Sequence, residues 1–171
     1  MKPKQILLSW QEVDKLIDQL IPQFDTEFQA MVVITRGGII PGGLLAEALQ
    51  LSTVLTASVN FPAQWKIREQ HKKDDRFTVW PKFLQFPEDE LLKDKNVLIV
   101  DDVWGSGRTI TSVKYRVETA GAKSYTCVLH FNPYRNLFGN ERPDHFAETT
   151  DKYVIYPWET YRGIDRVILG E

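Results

Sequence analysis

Residues 97–109 have the sequence VLIVDDVWGSGRT. The four apolar residues at its start, with Asn96 before them, predict a strand that is buried on both faces of a parallel sheet. Two carboxylates, Asp101 and Asp102, come next, and the glycines after them lead into a helix that begins near Thr109. The segment therefore predicts a buried strand, an acidic pair, a glycine loop and a helix in direct succession.

The glycine loop is suited to binding a phosphate monoester. Gly105 and Gly107 allow backbone amides to approach a ligand closely, and Ser106 and Thr109 add hydroxyl donors. The positive end of the following helix points to the same place. The acidic pair would repel a phosphate, so we expect it to bind sugar hydroxyls or a hydrated Mg²⁺ nearby. Together these features favour a phosphorylated sugar as the ligand.

Three other interpretations of the loop are possible. In the simplest, the two aspartates only cap a turn, because aspartate and glycine often follow strands. A dinucleotide-binding fingerprint would require a small residue where the chain has Ile110, and the chain contains no Gly-x-x-x-x-Gly-Lys-Ser/Thr sequence. The spacing thus favours neither a nicotinamide cofactor nor ATP.

The remaining hydrophobic patterns predict an α/β fold with a mostly parallel, twisted sheet flanked by helices. The expected strands are Ala30–Thr35, Thr53–Asn60, Asn96–Val100 and Ser124–Phe131. The expected helices follow the capping box Ser9–Glu12, run from Pro41 to Leu49, and run from Thr109 to Ala120 with Gly121 as the stop. In such sheets ligands bind beyond the carboxyl ends of the strands.

Composition limits the class of protein. The chain has 171 residues and is 43% hydrophobic, which fits a single domain over residues 1–171. A net charge of −2 argues against a nucleic-acid partner. The sequence lacks both an apolar run of about 20 residues and a signal-peptide core, so we expect a cytoplasmic protein without a membrane span. The single cysteine, Cys127, is expected to be buried and inert.

Two further features remain open on sequence grounds. Phe61–Trp80 is rich in charged residues and is interpreted either as a solvated surface loop or as an active-site lid. His71, His130 and His145 lack metal-ligand spacing, which favours surface or packing roles.

At residues 97–109 the chain resembles the type I phosphoribosyltransferases, whose signature for 5-phosphoribosyl-1-pyrophosphate (PRPP) has four apolar residues, two acids and a glycine-threonine loop. Other segments resemble the hypoxanthine, guanine and xanthine branch of that family. These are Leu8-Ser9-Trp10, Arg36-Gly37-Gly38-Ile39-Ile40-Pro41 and Tyr153-Val154-Ile155-Tyr156-Pro157-Trp158-Glu159. The resemblance implies a small hood and a flexible lid loop in addition to the sheet.

The resemblance also implies an activity. Members of the family transfer ribose 5-phosphate from PRPP to a ring nitrogen of a purine base with Mg²⁺, release pyrophosphate, and serve purine salvage. PRPP and a purine base would be the partners, in a homodimer or homotetramer. The alternative is a non-catalytic PRPP- or nucleotide-binding regulator of the same fold.

Site residues carry over from the family at matching positions. The implied PRPP contacts are Arg36, Gly37, Asp101, Asp102, Gly105, Ser106, Gly107, Arg108 and Thr109, with Asp101 and Asp102 as the catalytic pair. The implied base contacts are Asn132, Tyr153 and Val154, and the implied metal ligands are Asp101, Asp102 and Glu159. On chemistry alone, the loop at Arg36 is either a plain turn or a pyrophosphate site, and Tyr153 either a core residue or a stacking surface.

Two positions depart from the 6-oxopurine pattern. Asn132 stands where those members usually carry a lysine before the proline, and it can donate a hydrogen bond but brings no charge. Gly105 stands where they carry an aspartate that is thought to manage the proton on N7 of the base. The identity of the base is therefore left open by the sequence.

Overall fold

The computed structural model of the protein describes residues 4–61 and 81–160. Its strands are β1 (Gln5–Leu7), β2 (Ala30–Ile34), β3 (Val54–Asn60), β4 (Lys82–Gln85), β5 (Asn96–Trp104), β6 (Lys123–Phe131), β7 (His145–Thr149) and β8 (Tyr153–Ile155). Its α-helices are α1 (Trp10–Leu20), α2 (Ile39–Ala48), α3 (Arg108–Thr119) and α4 (Pro157–Thr160). Apart from Phe61, the segment expected to be a loop or lid lies outside the described residues. No described helix is long and apolar enough to cross a membrane.

The main sheet has six strands in the order β4-β3-β2-β5-β6-β7. All neighbours are parallel except β4, which is antiparallel to β3. Strand β5 therefore lies in the interior, between β2 and β6. The predicted α/β class with a mostly parallel sheet is confirmed.

Helices cover both faces of this sheet, and alternate residues of β5 pack against helices on opposite faces. Leu98 and Val100 pack with α1 and α2, whereas Val97 and Ile99 pack with α3 on the other face. All four side chains are fully buried, as expected for a central parallel strand. Helix α1 begins at the predicted capping box, in which the Ser9 N–H donates to Glu12 Oε2 at 2.7 Å.

Several predicted boundaries were wrong by a few residues. Strand β5 continues four residues beyond Val100, because pairing with β6 extends to Trp104 opposite Phe131. The acidic pair is thus inside the strand and does not follow it. Helix α2 begins at Ile39, two residues before the predicted Pro41, and α3 covers Arg108–Thr119. The predicted stop at Gly121 is confirmed by its φ of 84°.

A second, two-stranded sheet forms the predicted small hood. Strand β1 pairs in parallel with β8, with Gln5 opposite Tyr153. The two strands join the start of the described chain to its end, and α4 follows β8 directly. This sheet places the segment Tyr153–Glu159 above the carboxyl end of β5.

Cys127 and the two described histidines are packing residues, as expected. Cys127 is fully buried, and burial raises the pKa of its thiol. His130 and His145 are also buried, and burial lowers the pKa of His130 to about 4. None of the three is poised as a nucleophile or a metal ligand.

Candidate active site

The acidic pair lies half-buried near the carboxyl end of β5. The Asp102 N–H donates to Asp101 Oδ1 at 3.0 Å. Burial, followed by repulsion from Asp102, raises the pKa of Asp101 well above its usual value. Burial and the negative charge of Glu159 raise the pKa of Asp102 to about 7. The pair therefore forms a region of poorly compensated negative charge that favours a cation or hydroxyl donors.

The loop after β2 lies against this pair. A Cβ at Gly37 would be 2.5 Å from Asp102 Cγ, and a Cβ at Gly38 would be 2.2 Å from the Val100 carbonyl oxygen. Only glycine backbone fits this approach. Arg36 precedes the two glycines, is exposed, and follows a cis Thr35–Arg36 peptide bond. A loop that carries a cationic residue and two closely approaching glycines therefore lies beside the acidic pair.

The glycine loop keeps its backbone donors free. Within residues 4–61 and 81–160, the amides of Gly105, Ser106, Gly107 and Thr109 donate to no protein acceptor, while the Arg108 N–H is 3.4 Å from Ser106 Oγ. They lie at the start of α3, where the first amides of a helix have no intrahelical partner. The loop is therefore able to bind an anion through several neighbouring N–H groups.

Residues behind the loop hold it in place. The Trp104 indole N–H donates to Asn136 Oδ1 at 3.1 Å, and the Leu137 N–H donates to the Ser106 carbonyl at 3.1 Å. Gly107 has a φ of 79°, and a Cβ there would be 2.4 Å from Trp104 Nε1. Because Trp104 is buried and bonded, it fixes the position of Gly107. These protein contacts constrain the conformation of the loop.

A cleft of about 220 Å³ opens at the carboxyl ends of β5 and β6. Its lining consists of Asp102, Val103, Gly105, Asn132, Arg135, Lys152, Tyr153, Val154, Tyr156 and Glu159. It brings together six predicted site residues, namely Asp102, Gly105, Asn132, Tyr153, Val154 and Glu159. The other predicted residues, Arg36, Gly37, Asp101, Ser106, Gly107, Arg108 and Thr109, do not line it and lie on the adjoining loops and strand.

Tyr156 joins the hood to the acidic pair. Its hydroxyl donates to the Asp102 carbonyl oxygen at 2.9 Å and lies 2.9 Å from His130 Nδ1. The phenol has one proton, so His130 Nδ1 must carry the proton of the second hydrogen bond. The Tyr156 ring stacks on Trp158 with centroids 4.6 Å apart. These contacts hold the cleft wall against the strand that carries the carboxylates.

Residues 4–146 match the phosphoribosyl transferase domain. The chain belongs to that family. A xanthine-guanine phosphoribosyltransferase from Ruegeria sp. is 27% identical and aligned over 92% of this chain and 91% of its own.

Solved structures of phosphoribosyltransferases agree with this assignment. A purine phosphoribosyltransferase from Pyrococcus horikoshii is 26% identical, with a TM-score of 0.73 over 93% of this chain and 95% of its own. A hypothetical protein from Neisseria gonorrhoeae with bound ppGpp shares the fold, with 22% identity and a TM-score of 0.76 over 97% and 94% of the two chains. The predicted family, fold and class of transferase are confirmed, and the relatives' names support a purine as acceptor.

Glu159 is held near the acidic pair of this phosphoribosyltransferase. Its Oε2 accepts a hydrogen bond from the Tyr156 N–H at 2.8 Å at the start of α4. In the described part of the chain, no three His, Cys, Asp or Glu side chains gather closely enough to hold a metal ion by themselves. A metal bound here would need further ligands from a substrate.

The sequence analysis missed four residues that line the cleft: Val103, Arg135, Lys152 and Tyr156. Tyr156 lies inside the segment that resembles the family, so its position in that segment could have indicated a place in the cleft. Arg135 and Lys152 occupy turns after β6 and before β8, where single cations carry no pattern of their own.

Proposed function

We propose that this phosphoribosyltransferase transfers ribose 5-phosphate from PRPP to a ring nitrogen of a purine base and releases pyrophosphate. The observation that supports it most is that Asp102 and Tyr153 line the same cleft, beside a glycine loop in which the amides of Gly105, Ser106, Gly107 and Thr109 donate to no acceptor in the described part of the chain. The carboxylate is suited to a ribose, the loop amides to a phosphate, and the aromatic ring to a base. The names of the similar proteins point to a purine.

In this proposal, the glycine loop binds the 5-phosphate and the acidic pair binds the ribose. Asp101 and Asp102 would accept hydrogen bonds from the ribose hydroxyls. Their negative charge would also favour the positive charge that develops on the sugar as its bond to pyrophosphate breaks. The remote phosphate contacts position the reacting carbon.

Arg36 and Gly37 are the proposed pyrophosphate contacts. A guanidinium is a charged donor, and the backbone at Gly37 approaches Asp102 without a side chain in between. The leaving group would thus lie between the Arg36 loop and the acidic pair.

The residues present fit a Mg²⁺ ion. Mg²⁺ prefers oxygen ligands and is usually held by one or two carboxylates together with substrate phosphates. Burial and the charges of neighbouring carboxylates raise the pKa values of Asp101 and Asp102, so a bound cation would stabilise their ionised forms. Asp101, Asp102 and Glu159 would contribute ligands together with oxygens of the substrate, because the three carboxylates do not converge closely enough to bind an ion alone. The ion, when bound, would supply charge to stabilise the leaving pyrophosphate.

The base is proposed to stack on Tyr153 and to meet the backbone of Val154. In β8 the Tyr153 N–H donates to the Lys4 carbonyl and the Ile155 carbonyl accepts from the Leu8 N–H, on the two sides of β1. Because backbone groups alternate in direction along a strand, the N–H and carbonyl of Val154 point to the opposite edge. Asn132 lies at the floor of the cleft, where its Oδ1 accepts from the Tyr134 N–H at 3.1 Å and leaves its amide N–H groups to donate.

The proposal is tested by measuring pyrophosphate and nucleotide formation with PRPP, Mg²⁺ and a panel of hypoxanthine, guanine, xanthine, adenine and orotate. We expect turnover with at least one purine and none with orotate. Binding of PRPP or a nucleotide without turnover on any base would instead support a regulatory protein of the same fold.

Gly105→Asp should raise turnover of 6-oxopurines by about 10-fold, the lower range of a general acid-base contribution. A Cβ at Gly105 meets nothing within 4 Å, so a carboxylate can be added in the cleft without a clash. It would supply the proton acceptor that the resemblance associates with N7 of the base. Gly105→Asn is the control of equal size, and kcat for hypoxanthine is the measurement. Equal rates in both variants would contradict this role.

Three expectations from the sequence stay predictions: a single domain over residues 1–171, a cytoplasmic location, and a homodimer or homotetramer. Sedimentation of the full chain would measure its assembly state directly.

A further inference from the structure

We propose that Tyr156 and His130 are positioning residues for the transfer reaction. Together they form a buried hydrogen-bond chain that fixes the backbone of Asp102 and so the direction of its carboxylate. The inference rests on the proposed function, because both residues act through an acid of the same site. The resemblance to the family assigns a role to neither of them.

Asp102 is the position at which the main sheet supports β5 least. The pairing of β2 with β5 ends at Val100. On the other edge, the pairing with β6 includes Asp101 and Val103 but omits Asp102 between them. Asp102 is thus the one residue of β5 that is paired with neither neighbouring strand of the described sheet. The strand pairing alone therefore does not define the backbone at this acid.

The tyrosine that follows β8 supplies a hydrogen bond at this position. The Tyr156 hydroxyl donates to the Asp102 carbonyl oxygen at 2.9 Å. The tyrosine is 1% exposed, and its ring stacks on Trp158 with the two planes 5° apart. Because the ring is enclosed and stacked, its hydroxyl has few alternative positions. The bond therefore ties the backbone of Asp102 to a rigid aromatic group.

Beyond filling space in the core, His130 directs that hydroxyl. Its Nδ1 lies 2.9 Å from the Tyr156 hydroxyl oxygen, and it is the donor because the phenol proton is already directed at a carbonyl oxygen. His130 Nε2 is 4.0 Å from Glu148 Oε2, which is too far for a hydrogen bond. The chain thus runs from the His130 Nδ1–H through the Tyr156 hydroxyl to the Asp102 carbonyl.

A fixed backbone at Asp102 limits the directions open to its carboxylate. On one side the Gly37 backbone leaves no room, since a Cβ added there would lie 2.5 Å from Asp102 Cγ. On the other side Asp102 lines the cleft. A shift of this backbone would move the negative charge away from the reacting carbon, whereas the glycine loop would still bind the 5-phosphate. Loss of the chain should therefore reduce kcat more than the affinity for PRPP.

Tyr156→Phe tests the chain directly, because it removes the hydroxyl and keeps the stacked ring. We expect kcat to fall by about 30-fold, the scale of losing a partner that orients a metal-binding residue. The KM for PRPP should stay within about 2-fold of the parent's, because the lost interaction acts in the transition state. Tyr125→Phe, at the half-buried amino end of β6, is the matched control and should keep the parental kcat. A parental kcat in Tyr156→Phe would overturn the proposal.

His130→Leu and His130→Asn separate positioning from packing. Leucine matches histidine in size but has no donor, whereas the smaller asparagine can donate from close to the place of Nδ1. We expect kcat per folded protein to fall by about 10-fold in His130→Leu and to stay within about 3-fold of the parent's in His130→Asn, the reverse of the order for a residue that only fills space. The double variant His130→Leu, Tyr156→Phe should be no slower than Tyr156→Phe alone. Additive losses, or a faster His130→Leu than His130→Asn, would overturn the role of His130.

The two proposals fail in different ways. Turnover of no base by the parent protein would overturn the proposed function. The positioning role would then be decided by hydrogen exchange of the Val103 amide, which belongs to the same peptide unit as the Asp102 carbonyl. Exchange that is about 10-fold faster in Tyr156→Phe than in the parent and in Tyr125→Phe would support the role, and equal exchange in all three would overturn it.

Discussion

The double variant Asp101→Asn, Asp102→Asn should lose about 1,000-fold or more of the transfer rate, the scale of losing preorganised electrostatic stabilisation. Amides of the same shape cannot stabilise positive charge on the ribose, and they are poor ligands for Mg²⁺. The measurement is nucleotide formation from PRPP and the best base of the panel. Asp14→Asn with Asp18→Asn, an exposed pair on α1, is the matched control and should keep the parental rate. A parental rate in the Asp101 and Asp102 variant would refute the assignment.

The same variant should be more stable than the parent protein, and the gain should grow with pH. Asp102 has a folded-state pKa of about 7 against an ordinary value of 3.8. Between these values the folded state binds more protons than the unfolded state, so the parent's free energy of unfolding falls as pH rises through this window. The neutral asparagine side chains of the variant do not titrate, so its free energy of unfolding does not fall in this way. We expect a gain of about 1 kcal/mol or more at pH 8 and little at pH 4, measured by denaturant unfolding without Mg²⁺ or PRPP.

Gly107→Ala should weaken PRPP binding by about 100-fold while the chain stays folded, because one strained residue costs a few kcal/mol locally. Gly107 has a φ of 79°, and an added Cβ would lie 2.4 Å from Trp104 Nε1 and 3.1 Å from Phe138 Cδ2. Trp104 cannot move away easily, since it is buried and bonded to Asn136. The backbone of the glycine loop must shift instead, and its free amides lose their alignment.

The measurement for Gly107→Ala is the dissociation constant of PRPP by calorimetry, with circular dichroism to check the fold. Gly43→Ala is the matched control, because an added Cβ there meets nothing within 4 Å on an exposed part of α2. Its PRPP affinity should equal that of the parent. An unchanged affinity in Gly107→Ala would show that the loop does not bind the phosphate.

The parts of the fold that follow local rules were predictable from sequence. Residues 97–109 combine a buried apolar run, glycines and a helix start, and each signal is complete within a few positions. The hood was expected only through resemblance, because β1 and β8 have three residues each and pair Gln5 with Tyr153 across most of the chain. Strands this short carry no periodicity, and their pairing is decided by tertiary contacts.

The same holds for the candidate site, whose residues were predictable only where they lie in a local motif. Asp102, Gly105 and Glu159 lie in recognisable motifs, and the structure brings them into one cleft. Arg135 and Lys152 reach that cleft only because the end of β6 and the start of β8 both lie beside it. The spacing of the two residues in the sequence contains no information on this proximity, so their place in the cleft could not be predicted from sequence.

The indole of Trp104 lies directly behind Gly107, with its N–H bonded to Asn136 and its ring buried. A dianion arriving at the glycine loop would change the electric field at this ring, and indole emission responds to such fields. We therefore expect Trp104 to act as an intrinsic optical reporter beneath the proposed phosphate site, so that the protein's fluorescence titrates with occupancy before any catalytic turnover takes place.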